Sequence, residues 1–257
     1  MGYVQVERSQ GIVTVTLSNP TKRNAIPTGA WPQLEAAFRE VARRRDDRCV
    51  VLTGEGDDFS SGADVTGAAR GDAGHPLRAM RSISAAIEAL HGLPQPVIAR
   101  VSGVCVGIGL NMALACDIVI ASDDARFSEI FVRRGLSIDG GGSWSLPRTV
   151  GLLKAKELAL LGDIIPASEA ERIGLVTRVV SRADLNATVG EVAKRLAEGP
   201  PLALSMTKRL LDQSAQFTLA QALEAEAQAQ TVNSGTKDTA EAMLAFVERR
   251  EPRFEGS

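Results

Sequence analysis

Apolar and polar residues alternate over Val4 to Val6 and again over Ile12 to Leu17, with Gln10-Gly11 between them, the pattern of two antiparallel strands joined by a tight turn. The period then lengthens. From Ala30 onward Trp31, Leu34, Phe38 and Val41 recur at helical spacing, and Pro32 fits a first turn whose N–H groups have no intrahelical acceptor. The run Arg43-Arg44-Arg45 suits the negative end of that helix. Cys49 to Leu52 reads as a short buried strand, the residues near Leu77 to Leu90 as a second helix, and Val97 to Val101, after Pro94 and Pro96, as another strand. Ile108 to Cys116 reads as a helix of small residues and Ile118 to Ala121 as the next strand. Strands and helices in alternation predict an α/β fold.

Beyond Gly199-Pro200-Pro201 the strand pattern stops and only helical patterns remain, so the chain divides into a core over residues 1–198 and a helical region over 199–257. Thr218-x-x-Gln221 is a capping-box pattern at the start of one of those helices. The stripes formed by Leu219, Ala222 and Leu223, and by Met243, Phe246 and Val247, need a partner surface, either the core or another subunit.

A chain of 257 residues with 44% hydrophobic composition can bury a core without disulfide or metal support. The 29 Lys and Arg nearly balance the 31 Asp and Glu, so global charge points to neither nucleic acid nor a membrane surface, and an anionic ligand must be held locally. Cys49, Cys105 and Cys116 lie in apolar runs without zinc or redox spacing, which suits a reducing cytoplasm. His75 and His91 are too isolated for a metal cluster or a Ser-His-Asp triad and read as loop or helix-end residues. The N-terminus carries no secretion-signal pattern. The most apolar stretch, Pro96 to Ser122, is broken by Arg100, Ser102, Asn111 and Asp117 and reads as α/β core rather than a membrane span.

Two segments carry candidate chemistry. Phe59-Ser60-Ser61-Gly62-Ala63-Asp64 follows a strand and a Gly-Glu-Gly turn, and its small residues let backbone amides come close to a ligand. Ser102 to Gly109 leads from a strand into a helix, where the first N–H groups are unpaired donors at the positive end of the helix dipole. A dinucleotide-binding turn is the rival for the second segment, but Met112 stands where the third glycine belongs.

In order and spacing, Asn19 to Ala25, Phe59 to Asp64 and Ser102 to Asp117 resemble the crotonase superfamily, the enoyl-CoA hydratase/isomerase family. The resemblance continues through Phe127, Gly140-Gly141-Gly142, Pro147 to Gly151, and Ala167-x-Glu169-Ala170 leading to Gly174-Leu175-Val176. It implies a spiral of β-β-α units followed by a C-terminal helical trimerisation region, giving a homotrimer or dimer of trimers, with Phe246 and Arg249 reaching a neighbouring subunit's nucleotide site. It implies an acyl-CoA thioester substrate whose carbonyl oxygen meets the backbone N–H groups of Ala63 and Ile108. Ile108 stands where the family usually has glycine, and its side chain narrows the acyl pocket. Lys22, Arg23, Ala25 and the segment Ala63, Asp64, Val65 and Thr66 are implied as holders of the nucleotide end of coenzyme A.

The two glutamates with which hydratases of this family hold a water are replaced, by the same alignment, with Asn111 and Phe131, neither of which transfers protons as a carboxylate does. Asp139, before the three glycines and Trp144, stands where relatives that shift double bonds or process rings carry an aspartate, and Asp139 to Gly151 looks most like the phenylacetate-pathway type of isomerase. The expected reaction is therefore enoyl-CoA isomerisation, with Asp139 moving the proton, the Ala63 and Ile108 amides stabilising the enolate, and Phe131 and Trp144 beside the acyl group. No redox cofactor or metal is called for. Open beside this are a helix-capping role for Asp139 in a silent acyl-CoA-binding protein, a hydratase using a displaced Glu129, and an aspartate-dependent aryl-CoA dehalogenase, although Ser84 stands near the position of that subgroup's extra histidine. For Glu129 itself the sequence favours a solvated or hydrogen-bonded structural residue.

Overall fold

The structure of the chain, a computed structural model, describes residues 2–64 and 75–257. Strands β1 (Val4–Ser9) and β2 (Ile12–Leu17) form the expected hairpin, in register from Val4 opposite Leu17 to Ser9 opposite Ile12, and Gln10 and Gly11 both take positive φ at its turn. Helix α1 (Trp31–Arg43) buries Trp31, Leu34, Phe38 and Val41, the four residues whose spacing predicts it. Strand β3 (Cys49–Gly54) runs parallel to β2, and all six of its residues are buried. A strand covered on both faces is expected of a parallel sheet, and here Val50 and Leu52 face one apolar cluster while Cys49 and Val51 face another.

Helix α2 (Pro76–His91) packs against α1, and β4 (Val97–Val101) continues the sheet beside β3. His75 caps α2, accepting at Nδ1 from the Leu77 N–H at 3.2 Å, and His91 ends it, as read from the sequence. Two consecutive units then have the same plan. In the first, β4 lies in the large sheet, β5 (Val104–Val106) in a small second sheet, and helix α3 (Ile108–Leu114) follows. In the second, β6 (Ile118–Ser122) joins the large sheet, β7 (Arg126–Ser128) pairs with β5, and helix α4 (Gly142–Val150) follows after a 3-10 turn at Ile130–Arg134. This is the β-β-α spiral that the resemblance implies. Around β3 the second strand shrinks to single bridges, Ser60 with Cys105 and Ala63 with Ile26.

Helix α5 (Leu152–Leu161), β8 (Ile165–Pro166), helix α6 (Ala167–Arg172) and β9 (Arg178–Val180) complete the sheets, which run β1-β2-β3-β4-β6-β9 and β5-β7-β8. Helix α7 (Leu185–Ala197) lays Leu185, Val189, Ala193 and Ala197 over the second face of the large sheet. Helices α8 (Pro201–Ser214), α9 (Leu219–Ser234) and α10 (Lys237–Glu248) form the helical region, and α9 opens on a complete Thr218/Gln221 capping box. This region is tied to the core by Lys208, whose Nζ lies 2.9 Å from Asp117 Oδ2, and by Arg48, which donates to the Gly199 carbonyl at 2.9 Å. Leu219, Met243, Phe246 and Val247 stand on its exposed surface, Phe246 at 83%. No helix among the described residues is long and apolar enough to cross a membrane.

Candidate active site

The loop after β3 is shaped by buried Asn24. Its Nδ2 donates to the carbonyls of Glu55 at 2.9 Å and Asp58 at 2.7 Å, its Oδ1 accepts from the Asn19 N–H at 2.9 Å, and its own carbonyl accepts the hydroxyls of Tyr3 and Ser60, each at 2.9 Å. Asn24 and Arg23 both take left-handed backbone angles. Such angles are uncommon outside glycine and least unusual in asparagine, which explains how this turn can double back against residues 55–60. Nothing local in the sequence marks Asn24, since a polar side chain in such a turn is ordinarily exposed, whereas here it is fully buried.

Residues 58–62 then pair with the β4–β5 turn. Phe59 and Ser60 donate to the carbonyls of Ser102 and Val104, Val106 donates to Ser60, and Gly107 donates to Ser128. Gly62 and Asp64 also have acceptors, the Ser60 hydroxyl at 3.2 Å and the Ile26 carbonyl at 2.9 Å. Between them Ala63 N–H has no acceptor among the described residues, and neither has Ile108 N–H, the first amide of α3. The two strands of backbone lie side by side: a Cβ on Gly62 would come 3.2 Å from the Val106 carbonyl oxygen and 4.0 Å from the Ile108 nitrogen. Unpaired donors in an otherwise paired framework are what an oxyanion hole needs.

Beyond Ile108 the site becomes acidic. Its side chain lies against the 139–140 turn, since a Cβ on Gly140 would overlap Ile108 Cδ1, and Gly142 approaches Asn111 so closely that a Cβ there would sit 2.5 Å from Asn111 Nδ2. Asn111 Nδ2 donates to the Asp139 carbonyl at 2.8 Å and stands 3.5 Å from Glu129 Oε2. Three buried oxygens, Glu129 Oε1, Asn111 Oδ1 and Asp139 Oδ1, have no hydrogen-bond partner among the described residues. Buried polar atoms are nearly always paired, so such a group marks a place that a ligand or water completes. Burial raises the Asp139 carboxyl to about 6, and raises Glu129 to about 8 with help from the nearby Asp139 charge.

Several sequence expectations meet here. Asp139 does not cap α4: the cap residue is Gly141, and it is the Asp139 main-chain carbonyl, not its carboxylate, that accepts from Gly142 at 3.0 Å. Glu129 is not a solvated surface residue, being 1% exposed. Phe131 is buried with its ring near Gly107, at the edge of the hole. Trp144 is not brought to this group. It lies two residues after Gly142, about 200° round the helix, and turns toward His91, edge-on with ring centroids 5.2 Å apart, and toward Arg148, whose guanidinium sits 4.3 Å over its ring. At the other end, Lys22 pairs with Asp64 at 2.8 Å, Arg23 stands largely exposed 3.9 Å from Asp58, and Ala25 is buried beside them. Val65 and Thr66 lie outside the described residues. No cluster of three or more potential metal ligands is found among the described residues, and the three cysteines are free thiols.

Comparison with known proteins adds three likenesses and a family. The profile of the family described as enoyl-CoA hydratase/isomerase matches residues 7–257. The chain is 36% identical over 255 residues to a protein of Rhodobacter capsulatus named "Probable enoyl-CoA hydratase", covering 98% of each. It is 34% identical over 263 residues to the 1,2-epoxyphenylacetyl-CoA isomerase of Escherichia coli, covering 100% of this chain and 99% of the relative. Among solved structures, an enoyl-CoA hydratase from Bacillus anthracis superposes with a TM-score of 0.96 at 31% identity, covering all of both chains.

Proposed function

The chain belongs to the enoyl-CoA hydratase/isomerase family, whose members process acyl-CoA thioesters, and within it we propose that this protein is an enoyl-CoA isomerase that shifts a double bond through an enolate. The observation that carries this reading is the pair of unpaired amides at Ala63 and Ile108 with the unpartnered Asp139 carboxylate on the far side of the Ile108 side chain. A thioester oxygen held by the two N–H groups gains negative charge when a proton leaves the neighbouring carbon, and donors fixed in advance stabilise that charge without reorganising. One such donor is worth about 3 kcal/mol in comparable sites. Asp139 takes the proton as a carboxylate and the double bond moves as a proton returns two carbons beyond the one that lost it. The change balances without a redox cofactor or metal. Ile108 and Phe131 flank the acyl group, while Lys22 and Arg23, with Ala25, Asp64, Val65 and Thr66, hold the nucleotide end of coenzyme A.

The raised Asp139 carboxyl gives this reading a pH signature. A base must be ionised to accept a proton, so kcat/KM for converting a 3-enoyl-CoA to its 2-enoyl isomer should climb with pH through about 6. A rate already flat below pH about 5 would mean that an ordinary carboxylate, or none, is responsible.

The exposed stripe of Leu219, Met243, Phe246 and Val247 would be covered in a homotrimer or dimer of trimers. Sedimentation velocity should then find a mass of three or six chains, and a stable monomer at micromolar concentration would remove this part of the proposal.

A further inference from the structure

Glu129 is a buried carboxyl group near Asp139 that the mechanism above does not use. It follows β7 directly, and the Ser128 carbonyl just before it accepts the Gly107 N–H at 2.8 Å, which fixes Glu129 one peptide away from the frame of the hole. Its Oε2 stands 3.5 Å from Asn111 Nδ2, the same nitrogen that holds the Asp139 backbone, and its Oε1 is buried without a partner among the described residues. No cation pairs with it among the described residues; the ionisable groups that act on it or that it acts on are Asp139 and the buried Cys105 thiol. A carboxylate buried without a cation is costly, whereas a carboxylic acid there carries no charge and offers one O–H to its surroundings.

We propose that Glu129 is a second catalytic residue, the acid that returns a proton to the enolate after Asp139 has taken one from the substrate. This rests on the isomerase reading. In the first step the C–H bond next to the thioester breaks, its proton bonds to Asp139, and the electron pair spreads over the thioester oxygen and the unsaturated carbons. In the second, the Glu129 O–H bond breaks and its proton forms the new C–H bond two carbons further on. The cycle closes when Asp139 gives up its proton to bulk water and the Glu129 carboxylate takes one from it. Asn111 Nδ2 stands against both residues, 3.5 Å from Glu129 Oε2 and 2.8 Å from the Asp139 main-chain carbonyl.

The test uses the whole protein and a 3-enoyl-CoA carrying deuterium at the carbon next to the thioester. A single shuttling base carries some of that deuterium to the new C–H position, whereas two groups leave it on Asp139 and deliver solvent hydrogen instead. In ordinary water the native enzyme should therefore give product with almost no transferred deuterium, read by mass spectrometry. Glu129→Gln, which keeps size and burial but carries no transferable acid proton, should lose about 10²-fold or more in turnover. Its residual product should contain more transferred deuterium, and its affinity for a saturated acyl-CoA should be unchanged. Substantial deuterium transfer by the native enzyme, or Glu129→Gln turnover within twofold of native, overturns the proposal. If Asp139→Asn alone abolishes turnover, the isomerase reading stands and only the role of Glu129 falls; if the native protein leaves the 3-enoyl-CoA unisomerised, the isomerase reading itself is wrong.

Discussion

Asp139→Asn is expected to fold, assemble and bind acyl-CoA, yet to lose about 10²–10⁴-fold in isomerase turnover, the usual cost of removing a general base. The substitution is nearly isosteric. It leaves intact the Asp139 main-chain carbonyl that accepts from Asn111 at 2.8 Å and from Gly142 at 3.0 Å, so the turn into α4 keeps its bonds. A purely structural Asp139 would lose nothing, because its carboxylate makes no hydrogen bond among the described residues that the amide would break. The amide removes only the ability to carry a proton. Turnover, saturated acyl-CoA affinity and the thermal transition of the variant should be measured together, and native turnover in a folded variant would remove Asp139 from the mechanism.

Gly109→Ala should cost nearly as much by a different route, with turnover falling about 10²-fold as one hole donor moves out of place. A Cβ at position 109 would lie 2.8 Å from Ser60 Cβ and 2.9 Å from the Ser60 carbonyl oxygen. Ser60 cannot retreat, because its N–H, carbonyl and hydroxyl are bonded to Val104, Val106 and Asn24. The start of α3 must therefore move instead, carrying the Ile108 amide away from that of Ala63. Crowding of this kind also lowers stability by about 1–3 kcal/mol, so the thermal midpoint should drop with the rate. Steady-state kinetics below the new midpoint would separate the two effects. A stable variant with native kcat would show that the geometry of these amides does not matter to the reaction.

What could be read from the sequence, and what could not, follows the range of the forces involved. Strands β3, β4 and β6 were legible because burial on both faces makes them continuous apolar runs, and α1 because its buried residues keep helical spacing. Strands β5, β7, β8 and β9 were not: each has two or three residues, and pairing across the fold, such as Cys105 opposite Phe127, decides their conformation even where the residue is Arg126 or Pro166. In the site, resemblance pointed to Ala63 and Ile108, but that their amides lack acceptors depends on how every neighbouring N–H is used elsewhere. Glu129 looked like a structural or solvated residue because nothing local says that Asn111, eighteen residues earlier, and Asp139, ten residues later, close over it. Trp144, expected beside the acyl group, is turned toward His91 by the phase of α4.

The account rests on the claim that this chain moves a double bond rather than adding water across one. Incubating the purified protein with a 3-enoyl-CoA and following the product by mass spectrometry and ultraviolet absorbance tests that most directly. The expected product has unchanged mass and the new absorbance of a double bond conjugated with the thioester, formed faster than in the absence of protein and abolished by Asp139→Asn. A product heavier by one water, or a 3-enoyl-CoA bound but left unaltered, would contradict it.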